Sequence, residues 1–190
     1  DVMAFELITR QEYKAYQGIT STNHDAEIDN LITKCSEFVK TYCRRRFIDY
    51  YDEAKTQYFN GDVPKFILAE TPVVQVLAVD YSADYGQTWT TLTEYSSWIL
   101  HEDSIACIPV GDWQPQLRGY RVQYTAGYEV VPQDLKLAVM DLVTYYRRND
   151  SAVHSATAPG TNGSKVEYIN STSLPANIRR VLDQYVSDYT

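Results

Sequence analysis

Residues 122–149, VQYTAGYEVVPQDLKLAVMDLVTYYRRN, constrain the fold more than any other stretch of this chain. Arg121, Val122, Gln123, Tyr124 and Thr125 alternate in the manner of a strand, and Gly127 supplies a freely turning backbone. Pro132 stands where a first helical residue belongs, because its missing N–H would lack a partner there in any case. The helix predicted over 132–148 places Leu135, Ala138, Val139, Leu142, Val143 and Tyr146 on one core stripe of 3.6-residue period. Leu137, Met140 and Thr144 fall on another face. Two stripes on one helix predict that it is held between its own core and a neighbour.

The rest of the chain organises around that passage. A short helix is expected around Gln11–Tyr16, stopped by Gly18, and a long one from about Asp25 to Arg46, with Thr22 and Asp25 as a capping box. Ile28, Leu31, Ile32, Cys35, Phe38, Val39, Tyr42 and Cys43 give the long helix an unbroken apolar stripe, and Glu27, Asn30, Lys34, Glu37 and Lys40 its wet face. Between the helices the character changes. Short runs rich in Val, Ile, Thr, Tyr and Trp predict strands at Gln57–Asn60, Lys65–Ala69, Val73–Tyr81, Thr88–Leu92, Ser97–His101, Ser104–Ile108 and Gly119–Tyr124. Residues 149–164, NDSAVHSATAPGTNGS, lack periodicity and read as a flexible arm; Lys165–Asn170 reads as a short strand. Pro175 then opens a last amphipathic helix with Ile178, Val181, Leu182, Tyr185 and Val186 on one face.

The fold class expected is α+β: a helical core (helices near 25–46 and 132–148), an inserted antiparallel β-sheet or small sandwich at about 50–128, and a C-terminal arm with a short helix. Domain boundaries are expected at 1–148 and 149–190.

Charge narrows the partners. The chain carries 25 acids against 17 Lys and Arg, a net of −8. Residues 51–131 hold eleven of the acids and four of the bases, so nearly all of the excess lies in the β segment. Tight duplex binding is not expected of it, because such affinity comes largely from basic groups neutralising phosphates. No apolar run is long enough to span a membrane, and no basic-then-apolar leader is present. The three cysteines do not read as a disulfide framework: Cys35 and Cys43 are separated by about 12 Å of helix, beyond bridging distance, and both fall on the apolar stripe. A reducing compartment fits buried thiols.

Several motifs touch on chemistry. SADYGQTW, residues 82–89, matches the Ser-x-Asp-x-Gly-x-Thr-Trp pattern known as the Asp box. Its physical content is a hairpin, in which Asp84 accepts backbone N–H groups from a turn opened by Ser82, Gly86 takes a positive φ, and Trp89 packs over the turn. One copy in a chain of this length argues against a sialidase propeller. Trp89, Trp98 and Trp113 could form a sugar-stacking platform, or could serve core and interface. His24, His101 and His154 are scattered with no zinc-ligand spacing. GxSxG, GxxxxGK[ST] and GxGxxG are all missing, so neither cofactor, metal nor catalytic residue is expected. Arg44–Arg46, Arg147–Arg148 and Arg179–Arg180 sit on or at the ends of helices, placed for dipole compensation or for an acidic partner or DNA.

The strand–AGY–VP–helix passage resembles the head–tail connector (neck adaptor, head-completion) family of tailed bacteriophages. ELITRQEYKAYQGI (6–19), DAEIDNLITKCSEFVKTYCRRRF (25–47) and SLPANIRRVLDQYV (173–186) resemble the same family in the same order. The resemblance implies a structural virion protein of the neck, assembled in the host cytoplasm and carrying out no chemistry. It would form a ring with itself, twelvefold to match a portal, dock on the portal protein, receive the next neck or tail-completion protein, and let genomic DNA pass without tight binding or membrane contact. The subunit interface is then expected at Leu137, Met140, Thr144 and Tyr145. Portal docking is expected at Ile178, Arg179, Arg180, Val181, Leu182 and Tyr185, on a helix carried away from its own domain by the arm. Two alternatives stand beside this one: a carbohydrate-binding β module built on the tryptophans, and a small hydrolase using two carboxylates.

Overall fold

A computed structural model describes residues 6–108, 113–152 and 174–187. Their contacts divide the chain into two compact units, Asp1–Cys43 with Pro132–Val186, and Arg44–Val131 with Ser187–Thr190.

The first unit is helical. Helix α1 (Arg10–Gln17) starts in a capping box, with the Thr9 hydroxyl accepting from the Glu12 N–H at 3.2 Å and the Glu12 carboxylate accepting from the Thr9 N–H at 2.7 Å. At its end Gly18 turns left-handed at φ 67°. Helix α2 runs over Asp25–Cys43, stopping three residues short of the expected Arg46 because Arg44 turns to φ 55°. The capping box expected at its start is not the contact found there; Asp25 N–H donates to the Thr22 carbonyl at 3.2 Å. Helix α3 (Gln133–Ala152) outruns the expected 148 and takes the first four residues of the expected arm. The remainder of that arm, from 153, and the expected strand at 165–170 lie outside the described residues. Helix α4 (Ala176–Leu182) continues into a single 3-10 turn, Asp183–Tyr185.

Ile28, Ile32, Cys35, Val39 and Cys43 of α2 meet Leu135, Ala138, Val139, Leu142 and Val143 of α3 in one dry seam. The seam is narrower than the apolar stripe read from sequence. Phe38 and Tyr146 flank it and stay partly exposed. Lys40, expected in water, is buried, its ammonium 3.6 Å from Glu37. A long aliphatic stem explains the exchange, since it covers apolar surface as well as a ring does.

The second unit is two antiparallel sheets. The strands are β1 (Lys55–Phe59), β2 (Lys65–Ile67), β3 (Val73–Tyr81), β4 (Thr90–Thr91), β5 (Trp98–His101), β6 (Ser104–Cys107) and β7 (Tyr120–Ala126). One sheet has the order β1-β7-β3-β4 and the other β2-β6-β5. All seven fall where sequence places them, within about two residues at their ends. Phe66, Leu68, Val79, Trp98, Ile105, Trp113, Tyr120, Val122, Tyr124 and Ala126 form the core. Rings dominate it: Phe66 stacks on Phe59 at 4.6 Å and on Trp113 at 4.5 Å, and Tyr120 stands edge-on to Trp113 at 4.9 Å. Gly127 closes the unit at φ 108°, where any Cβ would overlap the Phe47 carbonyl oxygen; only glycine fits there.

Candidate functional site

The α3 face expected to meet a second subunit is partly covered by the chain itself. Lys136 Nζ lies 2.6 Å from Glu12 Oε1, and Tyr16 donates to Asp141 at 2.8 Å. The Thr144 hydroxyl accepts from Gln17 Nε2 at 3.0 Å, lies 3.2 Å from the buried Tyr13 hydroxyl, and donates to the Met140 carbonyl at 2.9 Å. Thr144 is therefore held by α1 within its own chain. Met140 and Tyr145 are half-buried beside it, and Leu137 remains 47 % exposed. The Tyr145 hydroxyl is buried and makes no hydrogen bond among the described residues. The residue Tyr145 lines an open groove of about 410 Å³ with Asp141, Thr144, Arg148, Pro175, Asn177 and Ile178.

The terminal helix is corrected more sharply. Ile178 is 2 % and Leu182 0 % exposed, packed on the unit's own α2 and α3. Polar clamps reinforce the packing: Tyr185 donates to Asp134 at 2.7 Å, and Tyr42 to Asp183 at 2.5 Å. The apolar face that looked free in sequence is thus satisfied at home, and α4 belongs to the helical unit. Arg179 and Arg180 point outward, while Val181 and Tyr185 are half-buried.

In the β unit the SADYGQTW segment is a closed turn. Asp84 Oδ1 accepts from the N–H groups of Gln87 at 3.0 Å and Thr88 at 2.8 Å, and from the Ser82 hydroxyl at 2.6 Å; the Thr88 hydroxyl donates to Oδ2 at 2.6 Å. Ser82 Oγ in turn accepts from Gly86 N–H at 2.8 Å. These bonds, the one from Ser82 foremost and those from Thr88 and Gln87 after it, hold the Asp84 carboxyl far below the usual carboxylate range. Gly86, at φ 86°, lies over the Trp89 ring so closely that an added Cβ would stand 3.1 Å from it.

Trp89 is one rung of a ladder. Its ring centroid is 6.0 Å from that of Tyr58, the Arg121 guanidinium lies 4.6 Å above it, and the Arg118 guanidinium lies 4.5 Å over Tyr58. Arg121 is also paired with buried Asp80 at 2.7 Å. Tyr58, Arg118 and Arg121 did not emerge from sequence reasoning. Tyr58 and Arg121 stand opposite each other only because β1 and β7 pair in that register, and no local pattern reports a pairing across 63 residues.

The sugar platform does not form. Trp98 and Trp113 are buried in the core, so the three tryptophans share no exposed plane. Among the described residues no cluster of His, Cys, Asp or Glu is arranged to hold a metal, and no helix is long and apolar enough to cross a membrane.

A search of curated protein sequences finds no match. Solved structures do resemble the chain. A chain from the neck of a native gene transfer agent particle computed with C12 symmetry aligns over 100 % of this chain and 93 % of its own, at TM-score 0.62 and 14 % identity. Another, from the neck of the empty particle computed with C6 symmetry, aligns over 97 % and 91 %, at TM-score 0.61 and 14 % identity. These likenesses establish the fold. The family model described as head completion protein matches residues 6–187. The chain belongs to the head completion protein family.

Proposed function

We propose that this protein is a ring subunit of the virion neck: twelve copies dock on the portal, receive the next neck or tail protein, and surround the DNA passage while carrying out no chemistry. The family match across residues 6–187 carries this reading. The fold shared with chains from a neck of C12 symmetry supports it. The acidic β unit is in keeping with a passage along which a duplex slides without sticking.

The surfaces available for these contacts are smaller than sequence suggests. On α3, Leu137 stays 47 % exposed, with half-buried Met140 and Tyr145 beside it. On α4 the portal contact falls to Arg179 and Arg180, with Val181 and Tyr185 at their edge, and not to Ile178 or Leu182.

Particle assembly tests the reading. Heads made without this chain should hold DNA and fail to join tails, and imaging of complete particles should count twelve copies. Leu137→Glu should leave the purified chain folded by circular dichroism and absent from particles. Arg179→Glu with Arg180→Glu should release the chain from the portal. Heads that join tails without the chain would overturn the role, a different copy number would overturn the twelvefold ring, and normal incorporation of Leu137→Glu would move the interface away from α3.

A further inference from the structure

The Asp-box turn has no part in the contacts proposed above, yet it is the most elaborately bonded loop of the β unit. Two other loops, at 60–61 and 116–119, are bonded to each other, and the second is bonded to the turn. Gly61 N–H donates to the Gln116 carbonyl at 3.2 Å, Ser82 N–H to the Gly119 carbonyl at 2.8 Å, and Arg118 N–H to the Asn60 side chain at 2.7 Å. Together they fix the ladder of Tyr58, Trp89, Arg118 and Arg121. Beside it in the chain two large apolar side chains stand exposed, Tyr85 at 65 % and Leu117 at 66 %. Aromatic rings, Arg and few acids are the composition of an interface centre.

Charge sharpens the point. Of the four bases in residues 51–131, Lys55 pairs with Glu70 and Arg121 with Asp80. The guanidinium of Arg118 makes neither hydrogen bond nor ion pair among the described residues, although its carbon lies 4.5 Å over the Tyr58 ring. A guanidinium over a ring still has N–H groups to offer a carboxylate. The nearest carboxylate of the turn, Asp84, is used up by Ser82, Gln87 and Thr88. The same unit exposes Glu94, Glu102, Asp103 and Glu129 with no ion pair among the described residues. Copies this acidic repel one another unless a cation stands between them. A ring built by rotation joins two different faces of one chain, one face receiving what the other presents.

Resting on the ring reading, we infer that the Arg118–Tyr58–Trp89–Arg121 ladder is the receiving half of a contact between neighbouring copies, in which Arg118 takes a carboxylate from the acidic surface of the next copy's β unit. Tyr85 and Leu117 flank the contact and exclude water from it. The Asp-box turn serves as the brace that keeps Trp89 under Arg121.

The test is made in assembled particles. A photoreactive benzoylphenylalanine at position 85 should crosslink one copy to another, at peptides containing Glu94, Glu102, Asp103 or Glu129. Arg118→Glu should lower the number of copies per particle at least about tenfold, in line with reversing one member of a close charge pair. Arg118→Gln, which removes the charge without reversing it, should lower incorporation less, and both purified variants should keep the wild-type Trp emission. Crosslinks from position 85 to a different virion protein, or none at all, would overturn the inference. So would wild-type incorporation of Arg118→Glu into rings, with the ring reading left standing. Particles that hold the wild-type chain in no ring would instead overturn the ring reading itself.

Discussion

The two units solve the same problem, burying apolar side chains, by opposite means. The helical unit gathers Leu, Ile, Val and Cys into one seam and ties its edges with polar clamps such as Lys136–Glu12 and Tyr185–Asp134. The β unit stacks rings, and then leaves apolar residues on its outward faces as well. Among the described residues, the helical unit exposes Tyr16, Phe38, Leu137 and Tyr146. The β unit exposes Tyr58, Val63, Ile67, Val74, Leu77, Tyr85, Tyr95, Ile99, Leu117 and Val130. Val74 and Leu77 fall at the two register shifts of β3, where an extra residue turns outward. Exposed apolar surface of this extent marks contact with other molecules. The comparison teaches that the helical unit satisfies more of its apolar surface by itself, and that the β unit leaves the larger number of apolar side chains open to partners.

Substitutions can break or sharpen that contrast. The largest effect is expected from Trp113→Ala, which empties the centre of the ring stack and should cost about 4 kcal/mol in denaturant unfolding. Leu142→Ala in the helical seam should cost about 3 kcal/mol by the same measure. If the order reversed strongly, the ring stack would be the lesser core and the contrast would fail. Thr9→Ala removes the α1 cap and should cost about 1 kcal/mol, with Thr9→Ser restoring most of it. A neutral Thr9→Ala would mean that the polar clamps to α2 and α3 hold α1 without its cap.

The smallest global effect belongs to Asp84. Because its folded-state pKa is depressed, the stabilisation it gives the turn is whole above the unfolded value of about 4. It is lost only as the pH falls through the lower folded value. Carboxyl NMR should therefore find Asp84 still ionised at pH 4, when exposed acids have half titrated. A midpoint at or above the ordinary value would mean that the Ser82 and Thr88 bonds do not form in solution.

The element order was legible because period is local: 3.6 for α2 and α3, 2 for β7, punctuated by Gly127 and Pro132. Thr9-x-x-Glu12 carries the capping-box pattern and forms it, whereas Thr22 meets Asp25 only through its carbonyl. What period could not report was destination. Ile178 and Leu182 form an amphipathic face whether they meet α2 and α3 or another protein, and only the packing decides. Thr144 finds Tyr13 and Gln17 across more than a hundred residues, and the Tyr58–Arg121 pairing depends on strand register. The Asp box was readable as a turn. Its place beneath a guanidinium was not.

The cysteines carry a practical consequence. Cys35 lies on the α2 seam, and burial pushes its thiol up to about 12. Alkylation needs the thiolate, so at pH 8 only roughly one Cys35 in ten thousand would be reactive even if a reagent could reach it. Cys107 sits half-buried on β6 in the other unit. The chain thus contains a built-in stopwatch: the slow labelling of Cys35 times each opening of the helical seam, with Cys107 as the running reference. Comparing the two rates in solution and in the particle would measure how firmly assembly clamps the seam shut.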